Sequence, residues 1–134
     1  RSALPAYDRA ILLQPNEAPW LSARCAVRAK LGRIEPALSD CNAALRLSPS
    51  DAETLDNRGL LHLRLKHYDA AMADFDGALL IDPGRATALF GRGIARQSRG
   101  DLAAASADIG AATRISAGVA DDMQKMGVAA PNTH

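Results

Sequence analysis

Almost no excess of charge marks this 134-residue sequence: 16 Lys and Arg face 15 Asp and Glu, leaving a formal net charge of +1. A dedicated nucleic-acid binder carries a clear basic excess, so none is expected here. Long apolar runs are missing too, and nothing approaches the ~20 apolar residues that cross a bilayer. The stretch Arg1-Ser2-Ala3-Leu4-Pro5 lacks the apolar core of a signal peptide, and the compartment stays unassigned. Cysteine is limited to Cys25 and Cys41, too few and too widely spaced for a zinc site without suitably placed histidines. Aromatic residues amount to only 4%, yet 48% of the chain is hydrophobic, and much of that share is alanine. Alanine is the best helix former and small enough for close helix contact. With 23% charged residues, the chain is a folded domain rather than a disordered one, and its length suits a single all-helical domain.

What is present is a period. Pro15, Pro49 and Pro83 are evenly spaced, within Leu12-Leu13-Gln14-Pro15, Arg46-Leu47-Ser48-Pro49 and Leu80-Ile81-Asp82-Pro83. The same interval relates Ala10, Ala44, Ala78 and Ala112; Tyr7, Cys41, Phe75 and Ile109; and Ala3, Ala37, Ala71 and Ala105. Leu21, Leu55 and Leu89 recur in phase, as do Cys25, Gly59 and Gly93. Self-similarity at this period indicates stacked helical units.

These columns resemble the tetratricopeptide repeat, a 34-residue helical hairpin with small residues at the helix crossing and proline at its end. The resemblance implies an all-α fold of antiparallel helix-turn-helix units stacked into a right-handed superhelix. It covers residues 1–128 as one array: a partial unit 1–15, units 18–51, 52–85 and 86–117, and a closing helix 118–128, followed by a flexible tail 129–134. Trp20 falls one residue before the usual large-residue column, which Leu21 fills, and Ala117 replaces the third terminal proline. The second departure suggests that the array ends there.

The units also read physically. Ser50-Asp51-Ala52-Glu53 has the form of a capping box. A helix is expected over 51–65, a turn at Lys66-His67-Tyr68, and a second helix over 69–81 that stops before Pro83. The flanking units give helices near 17–30 and 35–47, with Pro19 and Pro36 in first turns, and 86–99 and 102–115, with Asp101 as N-cap. Residues 3–13 match only the second helix of a unit, so the helix that would cover Tyr7 and Ile11 is missing. Val119, Met123 and Met126 lie on one face of a short final helix that Gly127 can end, with Asp121, Asp122, Gln124 and Lys125 outward.

No residue set points to catalysis, so an enzyme is not expected, nor a cofactor or metal. His62 occupies a column where the family often has tyrosine and reads as packing; His67, in the turn, reads as solvated. Asp74 and Asp76 are two apart on a helix and diverge. Gly91-Arg92-Gly93 falls inside a helix rather than after a strand, so it is not a phosphate loop. Cys25 and Cys41 face the interior of one hairpin. They read first as buried thiols acting as small apolar groups. The alternative is a disulfide, which would imply an oxidising compartment.

Function follows from the resemblance: a protein–protein interaction module binding a peptide or protein segment in the concave groove formed by the first helix of each unit. In family register the groove positions are Ser22, Ala23, Ala26, Ala29 and Lys30; then Glu53, Asp56, Asn57, Leu60, Leu63 and Arg64; then Thr87, Phe90, Gly91, Ile94, Gln97 and Ser98. Leu60, Leu63, Phe90 and Ile94 are expected to form an apolar patch, unless the closing helix covers part of it. Asn57 would hold a ligand backbone, and Arg64 an acidic side chain. Chaperone-binding members of the family clamp a C-terminal carboxylate with cationic columns. Here those columns hold Ser22, Ala26, Glu53, Thr87 and Gly91, so such a ligand is disfavoured. The alternative function is structural: docking or self-association of a larger polypeptide through Tyr7 and Ile11, giving a homodimer.

Overall fold

The computed structural model describes residues 3–128. Arg1, Ser2 and the expected tail 129–134 lie outside the described residues. Among those described, the chain forms eight helices and no strand: α1 (Leu4–Leu13), α2 (Ala18–Lys30), α3 (Ile34–Leu47), α4 (Ala52–Arg64), α5 (Tyr68–Ile81), α6 (Ala86–Ser98), α7 (Leu102–Ile115) and α8 (Val119–Lys125). The hairpins are α2–α3, α4–α5 and α6–α7, within one or two residues of the expected bounds.

The helix ends repeat with the sequence. The N–H groups of Gln14, Ser48, Asp82 and Ser116 donate to the carbonyls of Ala10, Ala44, Ala78 and Ala112 at 2.8, 2.8, 2.9 and 2.9 Å. Gln14, Ser48 and Asp82 precede prolines and leave the helical region, as a residue before proline tends to do. Ser116 adopts the same extended backbone, φ −142° and ψ 107°, before Ala117. α7 thus ends at the same column without a proline. Inside the hairpins the turn column is Gly32, Lys66 and Gly100, all with positive φ (77°, 61° and 86°). Lysine stands there in a left-handed conformation that favours glycine. At the start of α4 the cap is Asp51 rather than Ser50: its carboxylate accepts from the Thr54 N–H at 3.4 Å and from the Thr54 hydroxyl at 2.8 Å. Asp101 occupies the N-cap position of α7 but makes no side-chain cap bond.

Small residues let the helices close up. Phe75 is fully buried between two glycines: a Cβ on Gly59 would lie 2.7 Å from its ring, and one on Gly91 only 2.4 Å. Gly93 stands likewise against Ile109, 2.6 Å from where its Cβ would be. In the first hairpin the equivalent pair is Cys25 and Cys41, and here the reading as free thiols is corrected. The two form a disulfide across α2 and α3 with a Cα–Cα distance of 5.5 Å, because the small-against-large columns that meet at this crossing bring both sulfurs within bonding reach.

A second set of columns, which the apolar periodicity does not reveal, is polar. Arg24, Arg58 and Arg92 on the first helices each form a two-pronged bond to a buried carboxylate on the second, Asp40, Asp74 and Asp108, at 2.7–2.9 Å. Each third prong reaches back to the preceding unit: Arg24 to Asp8 at 2.8 Å, Arg58 to Asn42 at 3.0 Å, and Arg92 to Asp76 at 2.9 Å. Paired forks of this kind fix orientation as well as contributing energy. The carboxylate bonds raise all three guanidinium pKa values. Each of these arginines therefore clips its own hairpin shut and holds the previous one in register. Arg28 and Arg96 add a second contact to Asp40 and Asp108, at 2.9 and 2.7 Å. His62 fills that column in the middle unit, with Nε2 3.8 Å from Asp74. His62 thus sits beside the ion-pair ladder as a half-buried imidazole whose pKa burial lowers, consistent with packing. Its ring centroid also lies 5.8 Å from that of His67 in the following turn.

Candidate peptide-binding groove

The first helices lie side by side, and between α2 and α4 they leave a cavity of about 160 Å³. That is on the order of the ~150 Å³ known to hold a benzene ring. Ala26, Ala29, Leu60 and Leu61 line its apolar part; Lys30, Glu53, Asn57 and Arg64 supply polar groups; Met126 comes from beyond α8. Alanine at two successive turns of α2 creates the space, since larger side chains there would fill it. Of the expected groove residues, the fold therefore brings Ala26, Ala29, Lys30, Glu53, Asn57, Leu60 and Arg64 together.

The others are placed differently. Asp56 is buried: its Oδ2 accepts bonds from the Thr87 hydroxyl and from Arg85 Nε, the latter at 3.1 Å. It joins α4 to the start of α6 instead of facing a ligand. Burial pushes its carboxyl up, opposed by Thr87 and Arg85, and among the described residues Oδ1 has no hydrogen-bond partner. The open apolar patch is also corrected. Leu60, Leu63 and Phe90 are 5%, 6% and 2% exposed and belong to one core cluster with Val119, Met123 and Val128; Ile94 is half-buried against it. The segment after α7 packs onto this cluster: α8 lies against α6 and α7, and the segment's Val119, Met123 and Val128 side chains are buried. Gly91 faces Phe75, not the groove. Gln97 is half-buried in the last turn of α6, outside the cavity lining.

Arg64 is engaged as well. Its Nη1 donates to the Ala29 carbonyl at 2.7 Å, tying α4 to α2. Gly127 packs onto the same guanidinium, where a Cβ would lie 2.8 Å from Nε. Met126 and the contact of Gly127 with Arg64 were not foreseen as groove elements; the i, i+4, i+7 spacing of Val119, Met123 and Met126 is the signal that marks a buried face. At the other end of the array, Tyr7 and Ile11 are half-buried on α1, whereas Leu12 and Leu13 are 83% and 75% exposed. Among the described residues, no helix is long and apolar enough to cross a membrane.

Stacked helical hairpins with a groove along their first helices define an α-solenoid, the architecture of protein–protein interaction scaffolds. Residues 52–85 match the family model of the tetratricopeptide repeat. Several solved structures share the fold. MamA superposes with a TM-score of 0.80 at 20% identity, covering 93% of this chain and 73% of that one. A tetratricopeptide repeat protein from Parabacteroides merdae gives 0.75 at 29% identity, covering 93% and 52%. The first such domain of Spaghetti (RPAP3), bound to an HSP90 peptide, gives 0.71 at 20% identity, covering 82% and 90%. No curated protein matches the chain in sequence. Residues 52–85 carry the tetratricopeptide-repeat match in sequence, and the array shares its fold with solved tetratricopeptide-repeat structures.

Proposed function

We propose that this repeat array binds a partner protein by taking one apolar side chain of an extended or helical segment into the cavity between α2 and α4. The observation that carries this reading is the cavity itself: an apolar floor at Ala26, Ala29 and Leu60, rimmed by Lys30, Glu53, Asn57 and Arg64. The Asn57 amide can both donate to and accept from a ligand backbone. Lys30 and Arg64 offer positive charge and Glu53 negative charge, which suits a ligand of mixed charge. A terminal carboxylate is not the favoured feature. Ser22 shares a hydrogen bond with Thr54 at 2.6 Å, Thr87 is bonded to Asp56, and Gly91 is buried. The role needs no chemistry of its own.

Selection of binders from a displayed peptide library tests the reading, followed by titration against Ala26→Trp, which fills the cavity. Loss of at least tenfold in affinity, with the thermal melt unchanged, is the expected result. Full retention of affinity by Ala26→Trp would overturn it.

The exposed Leu12 and Leu13 beside Tyr7 and Ile11 favour the second reading, self-association through α1. Light scattering on the parent chain and Tyr7→Glu decides it: a dimer that the substitution dissociates supports the edge, and a monomer at every concentration removes it. The buried disulfide supports folding in an oxidising compartment.

A further inference from the structure

The C-terminal segment does more than close the last hairpin. In a continuing solenoid, the helix after α7 would stack as the first helix of another unit. Here α8 lies against α6 and α7, and the chain then runs back along the groove side: Val119 and Met123 are buried in the cluster with Phe90 and Leu60, Met126 enters the cavity beside Ala26 and Asn57, and Gly127 packs on Arg64. Val128 lines a cleft with Leu63 of α4, Tyr68 of α5 and Ile94 of α6. The segment is held by side-chain burial and by the contact of Gly127 with the Arg64 guanidinium, and it is joined to α7 by Ser116, Ala117 and Gly118. A Cβ on Gly118 would meet nothing within 4 Å, so the joint is not packed against the body.

We propose that residues 119–128 are a strap occupying the groove from within the same chain, and that a partner binds fully by displacing it. The strap also shows what the groove selects. The displacing segment is a short amphipathic helix with Val- or Met-sized side chains at i, i+4 and i+7, and a residue without a Cβ where its backbone crosses Arg64. Displacement opens Leu60, Leu63, Phe90 and Ile94 to that segment, extending the site from the small cavity to the full length of α4 and α6. This inference rests on the groove reading above and adds its regulation.

The test uses the full chain and a fluorescein-labelled peptide of residues 117–128 as probe. Met123→Glu places a charge at a fully buried strap position and unseats the strap; Gly127→Ala, at φ +83° and against Arg64, does so more mildly should Met123→Glu fail to fold. Hydrogen exchange reports release of α8 while α4 and α6 stay protected. The expected result is probe binding at least tenfold tighter to the unseated variant than to the parent. Equal affinity for both, no binding to a variant whose α8 is released, or exchange of α8 between two copies in a dimer would each overturn the strap. A peptide selected on the parent chain is titrated in parallel. If it binds both forms alike and is lost with Ala26→Trp, the groove reading stands and the strap alone falls.

Discussion

Replacing Gly91 with alanine adds a single methyl group and should destabilise the protein, although in an ordinary helix the change is favourable. Alanine is better than glycine in a helix interior by about 1 kcal/mol. Against this stands the Phe75 ring, whose Cζ lies 2.4 Å and whose Cε2 and Cε1 lie 2.8 and 2.9 Å from the position the new Cβ would take. The ring must move by about an ångström to restore ordinary contact. The ring also lies within 2.7 Å of where a Cβ on Gly59 would stand and is fully buried, so little room is left for it to shift. Inserting a methyl group into a closed core costs about 1–3 kcal/mol. With the ring fully buried and seated closely beside both glycines, the upper end applies, so the net effect is a loss of about 2 kcal/mol after the helix-propensity gain. Urea unfolding followed by far-ultraviolet circular dichroism measures it. The sharper test is a cycle with Phe75→Leu, which removes the obstructing ring edge. In that background Gly91→Ala should become neutral or stabilising, giving a coupling well outside the few tenths of a kcal/mol seen for independent sites. Strict additivity, or a Gly91→Ala single variant more stable than the parent, would refute the sandwich argument.

Lys66→Gly relieves the left-handed backbone at φ 61° and matches the turn to those at Gly32 and Gly100; a gain of about 1 kcal/mol in urea unfolding is expected. Reducing the Cys25–Cys41 bond, which joins α2 to α3, should cost about 3 kcal/mol and loosen the first hairpin before the others, as hydrogen exchange on those helices would show. Burial holds the His62 imidazole below its ordinary range, although Asp74 opposes the shift. The unfolded chain therefore takes up a proton first. The stability linked to His62 is present above pH about 6.5 and is lost as pH falls through the depressed folded value. The slope cannot exceed about 1.4 kcal/mol per pH unit, and His62→Gln should flatten it. Asp56, raised by burial, acts in the opposite sense nearer the carboxylate range, so the two are separable.

The repeat, and with it the helices, is legible in the residues alone, because each hairpin is specified locally. Proline after the Ala10, Ala44 and Ala78 columns, glycine or lysine in the turn column, and an apolar stripe at helical spacing place the hairpin boundaries within one or two residues. The same logic located α8 and its buried face. What stayed open depends on which columns meet across helices. The period that aligned Cys25 with Gly59, and Cys41 with Phe75, showed the two columns facing the hairpin interior, but only the distance between α2 and α3 selects a bond. The ladder of Arg24, Arg58 and Arg92 is equally periodic in the sequence, yet its meaning lies in Asp40, Asp74 and Asp108, which the hairpin crossing brings close. Groove residues were legible as positions on first helices but not as open or covered. Asp56 turned inward to Thr87 and Arg85, and Phe90 lies under a segment from beyond α7. Helix periodicity says which side of a helix a residue occupies. Whether another part of the chain lies over that side is a matter of long-range packing, which takes shape only when the folded helices meet.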